Sequence, residues 1–168
     1  MGNGIAHVCA LSGFSVRLIE VSRELADKAE GVIRANLERQ AAKKTIERDV
    51  MEAALKRLKT GVSLEEAADS QLVIEAVPER MELKKETFRR LDACCPPETV
   101  LVSNTSSLSV TEIAAATKRP DKVMGMHFMN PVPVMRLVEL IRALQTSEET
   151  FAQVRELPDF TRLVEDHG

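Results

Sequence analysis

Residues 124–140 of the chain read MGMHFMNPVPVMRLVEL. An apolar strand pattern ends at His127, a loop held by prolines follows, and a second apolar strand pattern carries one carboxylate, Glu139. Such a carboxylate can fix the tautomer of a histidine ring and stabilise the imidazolium that forms when the ring takes up a proton. The stretch therefore predicts two neighbouring strands that carry either a general-base histidine or a structural histidine beside an apolar run.

A second polar cluster follows the preceding predicted strand, residues 99–103. The sequence there reads SNTSS over residues 103–107, so several hydroxyl and amide groups come directly after a buried strand. In an open α/β sheet, ligands bind outside the carboxyl ends of the strands. Because both polar clusters fall at such ends, the interpretation of His127 as a catalytic residue gains weight over the structural one.

Strand and helix patterns alternate along the chain. The apolar spacing predicts helices over residues 5–11, 22–43, 47–59 and 80–93, and strands over residues 14–20, 71–77, 99–103, 123–126 and 136–141. Gly13 is a helix terminator, Ser22 and Ser147 are N-caps, and the sequences SLEE and SVTE at residues 63–66 and 109–112 are capping boxes of short helices. This alternation predicts a doubly wound α/β sheet.

The two polar clusters together resemble the 3-hydroxyacyl-CoA dehydrogenases. The runs SNTSS and HFMNPVP, and the spacing of Ser106, His127 and Glu139, are similar to the signature of that family. The resemblance extends from residue 1 to about residue 154. It implies a Rossmann-like, doubly wound, mostly parallel sheet with a helical hairpin insertion, here lacking its first strand.

The resemblance also implies a reaction, the NAD-dependent oxidation of an L-3-hydroxyacyl-CoA to the 3-ketoacyl-CoA, as in fatty acid β-oxidation or butanoate metabolism. His127 is expected to take the proton of the substrate hydroxyl, and Glu139 to hold the ring. Ser106 is expected to hydrogen-bond the acyl-CoA oxygen. Asn104 and the NAD-binding Asn130 are expected to orient cofactor and substrate groups.

The first twenty residues contain the second half of a dinucleotide-binding fingerprint. Read alone, Gly2 and Gly4 suit a flexible terminus, and Glu20 suits a solvated strand end. The resemblance implies instead that Gly2 is the third glycine of the Gly-x-Gly-x-x-Gly loop, which permits close packing of helix on strand. It also implies that Glu20 accepts hydrogen bonds from the adenosine ribose, which favours NAD over NADP. The first two glycines have no counterpart in the sequence.

Three charged residues gain a role only from the resemblance. By charge pattern alone, Lys43, Glu79 and Lys84 are surface residues. The resemblance implies that Glu79 and Lys84 contact NAD and that Lys43 contacts the CoA moiety of the substrate. Related hydroxyacid and phosphogluconate-type dehydrogenases use a catalytic lysine, and no lysine adjoins either polar cluster in the sequence, which disfavours them.

Composition narrows the possible partners. A net charge of −3 and an aromatic content of 3%, without Trp or Tyr, disfavour nucleic acid. No apolar run approaches the roughly 20 residues that span a bilayer, and no signal-type segment begins the chain, so we expect a cytoplasmic protein without a membrane partner. Cys9, Cys94 and Cys95 lack zinc-type spacing and are expected to be reduced structural thiols.

We expect residues 1–157 to form an NAD-binding domain with an incomplete N-terminus and residues 158–168 to form a divergent polar tail. The helical domain that supplies most dimer contacts in this family has no counterpart here, so the homodimer of the complete family does not follow for this chain. The alternative to an active dehydrogenase is a truncated, inactive remnant or a binding-only family member. A missing central strand would leave the backbone groups of its neighbours unpaired.

Overall fold

The computed structural model describes residues 1–135, 137–157 and, for the backbone alone, 164–166. The chain forms two compact units. Unit 1 comprises residues 1–66 and 131–134, and unit 2 comprises residues 67–130 and the chain from residue 135 onward. Each unit contains one β-sheet and its own helices.

Unit 1 consists of helix α1 (Gly2–Leu11), strand β1 (Val16–Ile19), helices α2 (Arg23–Ala42) and α3 (Arg48–Arg57), and strand β2 (Leu58–Gly61). The two strands pair in parallel, with Val16 opposite Leu58. Apolar residues of the three helices and of β1 share one core, because each helix turns an apolar stripe towards it. The buried members of this core are Ala6, Ala10, Leu18, Ala29, Ile33, Leu37 and Ala54.

The second helix of the hairpin is shorter than the sequence predicts. The helical pattern over residues 47–59 gives a helix that ends at Arg57, and residues 58–61 form strand β2 instead. Leu58 and Lys59 are residue types that favour a helix, but in β2 they gain a ladder of backbone hydrogen bonds to β1. Long-range strand pairing therefore overrides local propensity at this point.

Most helix boundaries predicted from capping residues are confirmed. Gly13, just beyond α1, has a φ of 96°, a backbone conformation that suits glycine. The hydroxyl groups of Ser22, Ser109 and Ser147 each accept a hydrogen bond from the backbone amide three residues further on. The SLEE sequence begins a single 3-10 turn, Leu64–Ala67. Among the described residues, no helix combines the length and apolar composition that a membrane crossing requires.

Unit 2 consists of β3 (Leu72–Glu75), α4 (Met81–Cys94), β4 (Val100–Ser103), α5 (Val110–Ala114), β5 (Val123–Phe128), β6 (Val138–Arg142), α6 (Glu148–Arg155) and β7 (Val164–Asp166). The five strands form one sheet in the order of their numbers. Strands β3, β4 and β5 run parallel, β6 is antiparallel to β5, and β7 is parallel to β6. All four residues of β4 are buried, as expected for a strand covered on both faces.

The alternation of parallel strands with helices confirms the doubly wound α/β class. The described strands form the parallel pair β1 and β2 and a separate five-stranded sheet, β3 to β7.

The end of the chain differs from the expected polar tail without a strand. Residues 164–166 form β7, in which Val164 pairs with Val138 of β6. Ladder hydrogen bonds use the backbone alone, so polar residue types can take part in them. The predicted helix interruption at Pro158, the rest of the predicted tail, and Arg136, the predicted first residue of the strand that carries Glu139, lie outside the described residues.

Candidate active site

His127 and Glu139 face each other across strands β5 and β6. The antiparallel register places the two residues directly opposite, and the His127 Nδ1 atom lies 2.8 Å from Glu139 Oε2. The two side chains are 19% and 26% exposed, so the pair is partly shielded from solvent and still accessible. The structure thus brings together the two residues that the sequence predicts as base and supporting acid.

The orientation of this pair leaves one ring nitrogen for chemistry. An ionised carboxylate only accepts hydrogen bonds, so in the neutral ring Nδ1 carries the proton that Glu139 accepts. The other nitrogen, Nε2, then keeps its lone pair. Nε2 is therefore the His127 atom that can take a proton, and the carboxylate can stabilise the charged ring that results.

A close approach of β5 and β6 lies beside the pair. Gly125 is opposite Ile141 in the ladder, and a Cβ atom added at Gly125 would come within 2.9 Å of the Ile141 Cβ. A side chain at this position would therefore push the strands apart two residues before His127. Glycine is needed here for the strand spacing and not for a turn.

Asn104 connects the end of β4 to the end of β5. Its side-chain Oδ1 accepts a hydrogen bond from the Phe128 backbone amide at 2.8 Å. The Asn104 backbone amide donates a hydrogen bond to the Glu75 backbone carbonyl oxygen at 2.8 Å. Because Oδ1 faces an N–H donor, the side-chain Nδ2 group remains as the donor of Asn104. The contact places Asn104 beside the residue that follows His127.

Glu79 holds the polar loop that follows β4. Its Oε1 atom accepts hydrogen bonds from the backbone amides of Ser106 and Ser107, at 2.9 and 3.2 Å, and from the Thr105 hydroxyl. The hydroxyl of Ser106, an exposed residue, lies 3.4 Å from the same oxygen. Desolvation raises the pKa of Glu79, but these hydrogen bonds and the Lys84 charge outweigh it and lower the pKa to about 2.

Lys84 is buried, whereas the charge pattern alone predicts a surface residue. Its Nζ atom lies 2.8 and 3.1 Å from the two carboxylate oxygens of Glu75, 3.3 Å from the Val77 carbonyl oxygen, and 3.4 Å from Glu79 Oε2. The side chains of Lys84 and Glu75 are each 1% exposed. The cause is that Glu75 ends a strand inside the core, where a buried carboxylate needs a countercharge.

Sequence reasoning missed Glu75 and Ser103. The Ser103 hydroxyl donates to Glu75 Oε2 at 2.7 Å, and the Val77 amide donates to Glu75 Oε1 at 2.6 Å. Both Glu75 and Ser103 are buried. A signal was present in the sequence, since an acid stands inside the apolar run 71–77 and a lysine follows it nine residues later.

The remaining predicted site residues have exposed or half-buried positions. In unit 2, Asn130 is exposed shortly after β5. In unit 1, Lys43 is exposed at the C-terminal end of α2. Glu20 is half-buried directly after β1, and its backbone amide donates to the Gly61 carbonyl oxygen at 3.0 Å. Contacts of these three side chains to a cofactor or to CoA stay predictions.

Gly2 and Gly4 differ in the room around them. A Cβ atom added there would lie 3.8 Å from Leu18 Cδ1, which is an ordinary contact. Among the described residues an added Cβ would thus fit, and the role of Gly2 in close packing of helix on strand stays a prediction. The tight position in α1 is Gly4, where an added Cβ would lie 3.1 Å from the Val132 Cβ.

Unit 1 has two features that fit a dinucleotide cofactor. Helix α1 begins at Gly2, and Met1 makes no side-chain cap. The first-turn amides of α1 are therefore available to an anionic group such as a pyrophosphate. Glu20, at the carboxyl end of β1, is an acid of the type that accepts hydrogen bonds from ribose hydroxyls.

Comparison with known proteins shows to which family the chain belongs. The family model described as the NAD-binding domain of 3-hydroxyacyl-CoA dehydrogenase matches residues 1–161. The chain belongs to this family. NAD is therefore the cofactor of its domain family, as the sequence analysis predicts.

The relatives of this domain are longer proteins. A probable 3-hydroxybutyryl-CoA dehydrogenase of Bacillus subtilis is 48% identical over 159 residues, which are 95% of this chain and 55% of the relative. The mitochondrial hydroxyacyl-coenzyme A dehydrogenase of Homo sapiens is 39% identical over an alignment of 173 positions, which covers 99% of this chain and 54% of the relative. The chain thus spans about half the length of the curated relatives that it matches.

Solved structures confirm the Rossmann-like fold. The 3-hydroxybutyryl-CoA dehydrogenase of Escherichia coli is 41% identical with a TM-score of 0.95, and the match covers 99% of this chain and 35% of the other. The (S)-3-hydroxybutyryl-CoA dehydrogenase of Ralstonia eutropha is 38% identical, also with a TM-score of 0.95, over 99% of this chain and 59% of the other.

Proposed function

We propose that this chain provides the proton-transfer site for the reversible, NAD-dependent oxidation of an L-3-hydroxyacyl-CoA to the 3-ketoacyl-CoA. The observation that carries the proposal is the 2.8 Å contact between His127 Nδ1 and Glu139 Oε2 in a member of this dehydrogenase family. The names of the relatives, 3-hydroxybutyryl-CoA and hydroxyacyl-coenzyme A dehydrogenases, support a 3-hydroxyacyl-CoA as the substrate.

His127 is the base of this reaction. In the direction of oxidation, its Nε2 takes the proton of the 3-hydroxyl group as the O–H bond breaks and the C3–O bond becomes a carbonyl. Glu139 keeps Nδ1 protonated and stabilises the imidazolium. When bound, NAD supplies the acceptor for the hydride that leaves C3. In the direction of reduction, the imidazolium of His127 returns the proton to the carbonyl oxygen of the 3-ketoacyl-CoA.

Three polar side chains orient the reacting groups. The Ser106 hydroxyl hydrogen-bonds the substrate oxygen, and Asn104 Nδ2 donates to a carbonyl or amide group of substrate or cofactor. Asn130 performs a similar task for the cofactor. These contacts act by positioning, and the hydrogen bond from the Phe128 amide to Asn104 Oδ1 supports such a role because it fixes the Asn104 amide group.

The residues assigned to NAD and to CoA divide between the two units. In unit 1, Gly2 begins the helix whose first amides suit the pyrophosphate, Glu20 binds the adenosine ribose and disfavours the 2′-phosphate of NADP, and Lys43 contacts CoA by its charge. In unit 2, Glu79 contacts NAD. A direct contact of Lys84 would have to share an Nζ donor with acceptors that already surround it.

Acetoacetyl-CoA and NADH test the proposal with the purified chain. We expect the NADH absorbance to fall only when acetoacetyl-CoA is present, and more slowly when NADPH replaces NADH. A fluorescence titration with NADH measures cofactor binding independently. If the chain binds NADH but does not oxidise it with acetoacetyl-CoA, it is a binding-only family member and the proposal is wrong. If it neither binds nor oxidises NADH, the chain is an inactive remnant.

Two further expectations concern the surroundings of the protein. The resemblance implies a homodimer for the complete family, and sedimentation of the purified chain measures whether this chain forms one. A cytoplasmic location also stays a prediction, and fractionation of cells that produce the chain tests it. Neither expectation enters the proton-transfer step.

A further inference from the structure

Three charged residues of unit 2 form a cluster that proton transfer does not explain. This cluster, the carboxylate clamp, consists of Glu75, Glu79 and Lys84. The Lys84 Nζ atom lies between the two acids, 2.8 Å from Glu75 Oε1 and 3.4 Å from Glu79 Oε2. Two carboxylates so close to each other repel, and the ammonium group between them offsets that repulsion.

The two acids of the clamp hold different parts of the segment that follows β4. Glu75 Oε2 accepts a hydrogen bond from the Ser103 hydroxyl at 2.7 Å. Glu79 Oε1 accepts hydrogen bonds from the Ser106 and Ser107 backbone amides at 2.9 and 3.2 Å. Residues 103–107 are therefore tied at both ends to carboxylates that one lysine holds.

The three residues of the carboxylate clamp differ in burial. Glu75 and Lys84 are each 1% exposed, whereas the Glu79 side chain is 36% exposed. Glu79 is therefore fixed from inside by Lys84 and directs its other oxygen to an exposed loop. Several donors share that one oxygen, and hydrogen bonds to an ionised group are roughly twice as strong as neutral ones.

We propose that the carboxylate clamp positions the Ser106 hydroxyl for the reaction, with Lys84 acting through Glu79 and not as a contact to the reacting groups. This inference rests on the proposed function, which gives Ser106 its contact to the substrate oxygen. Glu79 and Lys84 are thus positioning residues with respect to Ser106, and their loss changes the placement of the Ser106 hydroxyl.

Amide hydrogen exchange on the chain without ligands tests whether the clamp fixes the loop. We expect Glu79→Ala to speed exchange at the Ser106 and Ser107 amides by about tenfold, roughly the factor for one hydrogen bond. The Asn104 amide is an internal control, because it donates to the backbone oxygen of Glu75 and should keep its rate. Glu82→Ala, at a side chain that is 81% exposed in the first turn of α4, is the matched control variant.

Two more variants keep this exchange test decisive. Glu79→Gln keeps an oxygen acceptor but loses the charge, so we expect it to speed exchange at Ser106 and Ser107 less than Glu79→Ala does, and it replaces that variant if Glu79→Ala folds poorly. The double variant Glu75→Leu/Lys84→Leu removes both buried charges together and is expected to weaken protection at Ser107, since Glu79 loses its countercharge. Unchanged exchange at Ser106 and Ser107 in Glu79→Ala would overturn the inference.

A double-mutant cycle tests whether the fixed loop matters for the reaction. We expect Ser106→Ala and Glu79→Ala each to lower kcat for acetoacetyl-CoA reduction by about tenfold, and the combined variant to be no slower than either one. For Ser106→Ala the dissociation constant of NADH should stay within twofold of the parent value, because Ser106 is assigned to the substrate and not to NAD. Independent, multiplying effects on kcat, or a loss confined to NADH affinity, contradict a positioning role for Glu79.

The two experiments separate this inference from the proposed function. A chain with the expected exchange pattern but without any NADH oxidation refutes the proposed function and leaves the anchoring of residues 105–107 in place. A chain that oxidises NADH but shows unchanged exchange in Glu79→Ala keeps the proposed function and refutes the role of the clamp.

Discussion

Two of the acid–base pairs in unit 2, His127 with Glu139 and Lys84 with Glu75, differ in burial and in the atoms that each leaves for a ligand. His127 and Glu139 are 19% and 26% exposed, and their contact uses Nδ1 and leaves Nε2. Glu75 and Lys84 are each 1% exposed, and four oxygen atoms lie within 3.4 Å of Nζ. A pair with an open nitrogen can exchange a proton with a ligand, whereas a saturated, buried pair can only hold other groups in place.

The elements that carry the pairs produce this difference. His127 and Glu139 stand opposite each other in an antiparallel ladder, so their side chains meet on the same face of two neighbouring strands. Lys84 lies in the first turns of α4 and reaches the end of β3 at Glu75. A helix that covers a parallel sheet buries such a contact, while a ladder near the end of a strand leaves it accessible.

The largest expected effect comes from removing the proton acceptor of the pair formed by His127 and Glu139. His127→Gln keeps a polar side chain of similar size but cannot take a proton at Nε2, so we expect kcat for acetoacetyl-CoA reduction to fall by ~10² to 10⁴. NADH affinity, measured by fluorescence titration, should stay nearly unchanged because the cofactor contacts are elsewhere. A turnover number within about threefold of the parent would show that His127 is not the base, since a general base contributes far more than that.

The second largest effect comes from removing Lys84 from its buried pair with Glu75. Lys84→Met leaves the Glu75 carboxylate buried without its countercharge, and we expect the free energy of unfolding to drop by ~3 to 5 kcal/mol in urea titrations. The double variant Glu75→Leu/Lys84→Leu should recover a large part of this loss, because neither buried charge then remains. If the single and double variants are equally destabilised, the effect comes from lost packing and not from an uncompensated charge.

Much of the fold could be predicted from the sequence, because the parallel strands of unit 2 are short apolar runs and its helices are bounded by capping residues and prolines. The strand β2 could not be predicted, since Leu58 and Lys59 follow a helical pattern and adopt an extended conformation only through pairing with β1. Strand β7 was missed for a similar reason, because the backbone of Val164 pairs with β6 irrespective of its polar neighbours.

In the candidate site, too, one feature could be predicted from the sequence and another could not. The approach of His127 to Glu139 was predictable, since both residues follow from strand patterns joined by a short loop. The burial of Lys84 was not, because a helix that reads as charged gives no sign of which lysine turns inward. An acid inside an apolar run, here Glu75, is a signal that such a lysine exists nearby, and its use requires the rule that buried charges are paired.

A smaller effect tests the spacing of strands β5 and β6, on which the contact between His127 and Glu139 depends. Gly125→Ala places a Cβ within 2.9 Å of the Ile141 Cβ, and we expect a loss of ~1 to 3 kcal/mol in unfolding free energy from overpacking. Gly31→Ala is the matched control, because an added Cβ there meets no atom within 4 Å. A variant at Gly125 as stable as the parent would mean that β6 moves away freely and that the contact of His127 with Glu139 is loosely held.

The smallest effect concerns Glu79, the exposed residue of the carboxylate clamp, and appears only at acidic pH. The pKa of Glu79 is lowered from its ordinary value of 4.5 to about 2, so its contribution to stability is complete above pH 4.5 and is lost as the pH falls towards 2. Because the side chain is 36% exposed, solvent screening reduces this contribution to about 1 kcal/mol. We therefore expect Glu79→Gln to flatten the decline of unfolding free energy over that pH interval, whereas Glu82→Gln should leave the slope as it is. Parallel curves for the parent and Glu79→Gln would mean that the carboxylate gains no more from the loop amides in the folded protein than it gains from water, and the clamp would then end at Lys84.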